Sequence, residues 1–118
     1  MSRQVVPLDR VFHALGEPSR LGMIEQLSRG PASVKDLAAP FALALPSVLK
    51  HLNVLEEGQL VSSEKTGRVR TYRLQPDALA TIDRWVARRR AAWNRRFDRL
   101  EKLLADDLDG EVDRRKNR

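Results

Sequence analysis

Apolar residues recur along this chain at helical spacing, with one change of period near the middle. Leu8, Val11, Phe12 and Leu15 stand at i, i+3, i+4 and i+7, which predicts a first helix with a single apolar stripe. Gly16 ends it. Pro18 and Ser19 open a second helix whose inward residues are Leu21, Ile24 and Leu27. Gly30-Pro31 is a stop and a turn. Ser33 is the expected N-cap of a third helix, with Asp36 three residues on. Val34, Leu37, Ala38 and Phe41 face inward there, and Pro40 ends or kinks it. A fourth helix starts near residue 45, with Pro46 in its first turn and Gly58 where a left-handed C-terminal residue is expected. Its stripe is Leu45, Val48, Leu52 and Leu55, with Ser47, Lys50, Asn53 and Val54 opposite. The third and fourth helices have helix-turn-helix spacing.

After Gly58 the period shortens. Leu60–Lys65 and Val69–Leu74 carry β-formers in partial alternation, and Thr66-Gly67-Arg68 between them reads as a hairpin turn. Lys65, Arg68, Arg70 and Arg73 lie in or beside this hairpin. Such cations suit a wing lying along a phosphate backbone. They also protect a solvated edge strand from aggregation. Behind a helix-turn-helix the wing reading is favoured.

Pro76 opens the last element, and no Gly or Pro follows until past Leu104. Leu79, Ile82, Val86, Trp93, Phe97, Leu100 and Leu104 keep a three/four spacing, interrupted by Arg89, with Trp85 alongside. A helix of that extent runs roughly 40 Å at 1.5 Å per residue. So small a domain cannot cover it, and the same helix in a second copy is the economical partner. The expected dimer interface is Leu8, Val11, Phe12, Leu15, Ile82, Trp85, Val86, Trp93, Phe97, Leu100 and Leu104. Arg84, Arg88, Arg89, Arg90, Arg95, Arg96 and Arg99 read as a solvated face with snorkelling stems. Residues 1–7 read as a loose arm and 106–118 as a flexible charged tail, within a single domain over 1–105. The fold class is mostly α with a small β-hairpin wing: a winged helix-turn-helix with flanking dimerisation helices.

Composition narrows the function. A net charge of +6 permits binding to nucleic acid or an anionic surface without choosing between them. The chain has no Cys, which removes disulfides, thiolate metal sites and thiol switches. No apolar run approaches the roughly 18 residues of a membrane span, and the N-terminus lacks a signal-peptide core, so a cytoplasmic protein is expected. No Ser–His–Asp neighbourhood, Gly-rich phosphate loop or metal-ligand cluster supports an enzyme. His13, beside the first stripe, reads as a core or interface residue.

Three stretches carry a family resemblance. Val11-Phe-His-Ala-Leu-Gly-Glu-Pro-Ser-Arg20, Leu45-Pro-Ser-Val-Leu-Lys-His-Leu-Asn-Val-Leu-Glu-Glu-Gly-Gln-Leu-Val61 and Gly67-Arg-Val-Arg-Thr-Tyr-Arg-Leu74 resemble the opening, recognition helix and wing of the ArsR/SmtB family. The resemblance spans about residues 8–75. It implies a bacterial homodimeric repressor, nucleoid-associated when bound, that places one recognition helix per subunit in the major groove of a palindromic operator on double-stranded DNA. By position, the DNA-contacting residues are Ala44, Leu45, Ser47, Leu49, Lys50 and His51, with wing residues Lys65, Arg68 and Arg70, and Ser33 at the start of the third helix. Family members often carry Ser at the places of Ala44 and Leu49. Neither residue here can hydrogen-bond, though either could meet a thymine methyl. The family's Ala-Gly turn is transposed here as Gly58-Gln59.

The sensing chemistry departs as well. The metalloid sensors' Cys pair falls at Ser33 and Lys35, and the last helix has no His, so the resemblance is to a metal-free branch with no cofactor. A small organic effector at the dimer interface, against Trp85 and Trp93, stays open beside control by expression level alone. The alternative function is a winged-helix module that binds protein and does not read DNA.

Overall fold

The computed structural model describes residues 6–116, with side chains up to residue 110. Of the expected arm and tail, residues 1–5 and 117–118 lie outside the described residues. The elements are α1 (Leu8–Leu15), α2 (Pro18–Leu27), β1 (Ala32–Ser33), α3 (Val34–Ala38), α4 (Leu45–Glu57), β2 (Val61–Thr66), β3 (Val69–Leu74) and α5 (Pro76–Lys116). They fall into two compact units, Met1–Ile82 and Asp83–Arg118.

The first unit is built on α4. Val48, Leu52 and Leu55 are fully buried in one cluster with Val11 and Ala14 of α1, Met23, Ile24 and Leu27 of α2, and Leu37 of α3. Each fully buried Val or Leu contributes about 1.5–3 kcal/mol. Leucine spacing locates each buried face only to within about one residue, a rotation of roughly 100°. So α1 turns Ala14 inward and leaves Phe12 40% exposed, and α2 buries Met23 while Leu21 is 47% exposed. Leu45, expected in the stripe, is 54% exposed. Val54, expected opposite, packs against the core. Val11, expected at the dimer interface, is 3% exposed and belongs to the subunit's own core. Leu15 and Ile82, from the same expected set, pack against that core while partly buried.

Ser33 caps α3 as expected, its Oγ accepting the Asp36 N–H at 3.2 Å. It also belongs to β1, a two-residue strand too short to show alternation in sequence. β1 pairs antiparallel with β3 through Ala32↔Tyr72 and Ser33↔Thr71, so the hairpin becomes a three-stranded sheet of order β1-β3-β2. Thr66 pairs with Val69, which leaves a two-residue loop, Gly67-Arg68. Gly67 has φ +63°, and this suits a type II′ turn, whose first central residue needs positive φ. At the end of α4 the left-handed residue is Gln59 (φ 57°), one position after the expected Gly58 (φ −76°). Gly58 is needed for space, since a Cβ there would stand 3.2 Å from the Ala14 Cβ.

In the second unit α5 stays helical to Lys116, past the end expected near residue 105. Trp93, Phe97, Leu100 and Leu104 are exposed along it, joined by Leu103 and Leu108. Trp93 and Phe97 meet edge to face with centroids 5.1 Å apart. Arg89, the interruption in the stripe, sits 5.5 Å above the Trp85 ring as a cation–π partner. Among the described residues no helix is long and apolar enough to cross a membrane.

Candidate nucleic-acid interface

The burial of Val48, Leu52 and Leu55 decides what α4 shows to solvent. At 100° per residue the opposite face takes Pro46, Lys50, Asn53 and Glu57, with Leu49 on its flank, and all five are exposed; Leu45, on the core side by phase, is exposed because it stands in the first turn, at the end of the core. Ala44, the N-cap, is exposed and offers no side-chain acceptor to the first turn. Ser47 is half-buried at the edge of this face. The sequence puts Asn53 on the polar side of α4 but not among the expected contacts. Its signal is the phase, four residues after Leu49 and three after Lys50.

His51 is turned another way. Its Nδ1 lies 3.2 Å from the Arg20 guanidinium and 3.5 Å from Glu17 Oε2. Arg20 also donates from Nε to the Ala14 carbonyl at 2.6 Å and from Nη2 to the His13 carbonyl at 3.3 Å. Glu17 in turn caps α2, its carboxylate accepting the Arg20 N–H at 2.9 Å. His51 therefore sits in a polar clasp joining α1, α2 and α4. Burial alone would raise the Glu17 pKa. The Arg20 and Ser19 hydrogen bonds and the nearby His51 outweigh it and hold the carboxyl below its ordinary value of 4.5. His13, expected in the core or an interface, is exposed, and its backbone carbonyl does the bonding.

The hairpin puts its cations beside this face. Lys65, Arg68 and Arg70 are all exposed, and Lys65 stands directly opposite Arg70 across the ladder. Arg70 Nη1 donates to Ser63 Oγ at 2.9 Å, and Ser63 Oγ donates to Glu56 Oε1 at 2.9 Å. This relay ties the wing to the last turn of α4. Arg73 is drawn to Glu64 at 3.7 Å, which leaves it a poorer phosphate partner than its neighbours. Among the described residues, the ion pairs do not involve Lys50, Lys65 or Arg68. Between α3, the start of α4 and the wing runs a cleft of about 820 Å³. Its walls are apolar, with Phe41, Leu45, Leu49 and Val69, and its cations are Lys35, Arg68 and Arg70. Ser33 lines it too, its Oγ already engaged as the α3 cap. The arrangement presents one helix face and a cationic wing side by side, as major-groove reading with backbone anchoring requires.

Known proteins share this architecture. A helix-turn-helix domain family matches residues 15–64. The transcriptional repressor SdpR of Bacillus subtilis is 28% identical over 79 residues, covering 67% of this chain and 88% of the repressor. The crystal structure of an ArsR family transcriptional regulator, RHA00566, superposes with TM-score 0.71 at 39% identity, over 74% of this chain and 90% of that one. The homodimeric winged helix-turn-helix DNA-binding domain Mb0332 of Mycobacterium bovis superposes with TM-score 0.58 at 28% identity, over 68% and 77% of the two chains. With the expected motifs in place on the expected elements, the chain belongs to the ArsR/SmtB family of winged helix-turn-helix transcriptional regulators.

Proposed function

We propose that this protein is a homodimeric, sequence-specific DNA-binding repressor that acts at a short palindromic operator. The observation that carries the reading is the exposed α4 face flanked by a wing whose Lys65 and Arg70 stand opposite each other. Like charges facing across a ladder destabilise it. Their use lies with a polyanion that neutralises them. In each subunit Leu45, Leu49, Lys50 and Asn53 of α4 face the major groove, and Lys65, Arg68 and Arg70 anchor the backbone. Ala44 and Ser47 flank the contact. Ser33 and His51 support it from within the subunit, as helix cap and clasp.

The exposed Trp93, Phe97, Leu100 and Leu104 form the dimer seam with the same residues of a second copy. Trp93 against Phe97 and Trp85 against Arg89 make a seam of aromatic contacts within each helix. We therefore assign the two tryptophans to dimerisation in preference to an effector pocket.

The test is selection of bound duplexes from a random-sequence pool by the purified full chain, followed by a salt titration. An enriched palindrome and an affinity falling steeply with salt are expected. Replacing Lys50, Lys65 and Arg68 together by Ala should remove binding and leave the fold intact. Undiminished affinity in that variant would remove the docking scheme.

A further inference from the structure

The outward face of α4 is unusually poor in groups that can read a base by hydrogen bonding. Leu45 and Leu49 lie one turn apart along its flank, on the side toward the wing, 54% and 42% exposed, and Ala44 precedes them. With His51 turned into the Glu17–Arg20 clasp, only Lys50 and Asn53 remain as exposed polar readers over three turns. Leu45 and Leu49 also floor the cleft beside the wing, whose charged lining is Lys35, Arg68 and Arg70, with no carboxylate among its lining residues. An object that fits must be anionic at its edges and apolar where it meets the two leucines. Phosphates supply the edges. On the major-groove edges of the four bases, the apolar group is the thymine 5-methyl.

We propose that α4 selects its operator through thymine methyl groups packed on Leu45 and Leu49, an inference that rests on the DNA-binding reading above. Water is displaced from both surfaces when a methyl covers a leucine, and no polar group is stranded. A cytosine or purine at the same step leaves the leucines against polar edges. Asn53, one turn on from Leu49, suits an adenine, which bonds an amide in bidentate fashion. The half-site is therefore rich in A·T pairs under the first two turns of α4.

Uracil substitution tests this, because uracil lacks only the methyl. In the duplex enriched by selection, each thymine is replaced by deoxyuridine, symmetrically in both half-sites, and affinity is measured by titration. At the steps facing Leu45 and Leu49 the loss should be about fourfold per methyl, or ~15-fold for the symmetric pair, from about 0.8 kcal/mol per buried carbon. In the Leu45→Ala and Leu49→Ala variants, checked by thermal melting, the corresponding loss should shrink toward onefold. An enriched duplex indifferent to every substitution would overturn the inference and leave the DNA-binding reading standing. So would losses of equal size in wild type and both variants. A selection that enriches nothing would overturn both.

Discussion

Lys65 faces Arg70 across the β2–β3 ladder, two cations at directly opposed positions in a hairpin that could as easily have paired a cation with a carboxylate. Beside it, Glu64, whose own partner is Thr71, reaches diagonally to Arg73. Opposed like charges weaken a hairpin by a few tenths of a kcal/mol, and opposed unlike charges strengthen it by about as much. Lys65→Glu should therefore raise the melting temperature of the free protein and lower its affinity for DNA. The salt dependence should flatten by roughly one unit of log–log slope for each phosphate that a subunit no longer neutralises. Melting without DNA and titration at several salt concentrations check the two halves separately. A variant with both stability and affinity reduced would show that Lys65 serves the fold.

Gly58 and Gln59 stand in the reverse of the usual order, since the left-handed residue is the glutamine. A left-handed L-residue costs about 1–2 kcal/mol, and glycine returns roughly half of the difference through its freer unfolded chain. Gln59→Gly should thus stabilise the protein by about 0.5–1 kcal/mol. Gly58→Ala should destabilise it by about 1–3 kcal/mol, because the new methyl meets the Ala14 side chain 3.2 Å away. Urea midpoints of the two single variants are the measurement.

The same junction marks where a sequence is legible and where it is not. Helix boundaries can be read because proline, glycine and serine act locally, as with the Ser33 cap and the Pro76 start. The α4 core face can be read because Val48, Leu52 and Leu55 repeat the helical period. What cannot be read is what tertiary contact decides. The choice of Gly58 for space depends on Ala14, far away in sequence. Nothing beside Ala32 and Ser33 announces that they pair with β3. In the site, Lys50 and the wing cations are visible from position alone. His51 is not, because its partners, Glu17 and Arg20, belong to a distant stretch of sequence. Asn53 is legible in principle, through its phase with Leu49, once the buried face of α4 is fixed.

Glu17 caps α2 and faces His51, and its carboxyl is held below the ordinary value of 4.5. A lowered native pKa adds stability that is complete above the unfolded value and disappears as pH falls through the native one. The urea midpoint of the wild type should therefore exceed that of Glu17→Gln at neutral pH. The gap should close on acidification below about pH 4.5. A gap independent of pH would assign the effect to cap shape and remove charge from the explanation. Arg20→Met deletes the three side-chain hydrogen bonds of the clasp at once and should cost about 2–3 kcal/mol at neutral pH.

Leu100 lies at the centre of the exposed α5 stripe, three residues after Phe97 and four before Leu104. Under the proposed two-fold seam each Leu100 is buried once per subunit, so one substitution acts twice. Full burial of a leucine contributes about 1.5–3 kcal/mol, or about 3–6 kcal/mol for the pair. Leu100→Glu should raise the dimer dissociation constant by roughly 10²–10⁴ and convert the protein to a monomer at micromolar concentration. The hydrophobic core lies in the other compact unit, so far-ultraviolet circular dichroism should still report the helices of that unit. Binding to a palindrome should weaken far more than binding to a single half-site, because only the dimer engages both. Sedimentation velocity across a concentration series, paired with titration of full-site and half-site duplexes, measures both effects. A Leu100→Glu protein that stayed dimeric would place the seam elsewhere on the chain, with Phe12 on α1 the next exposed aromatic to test.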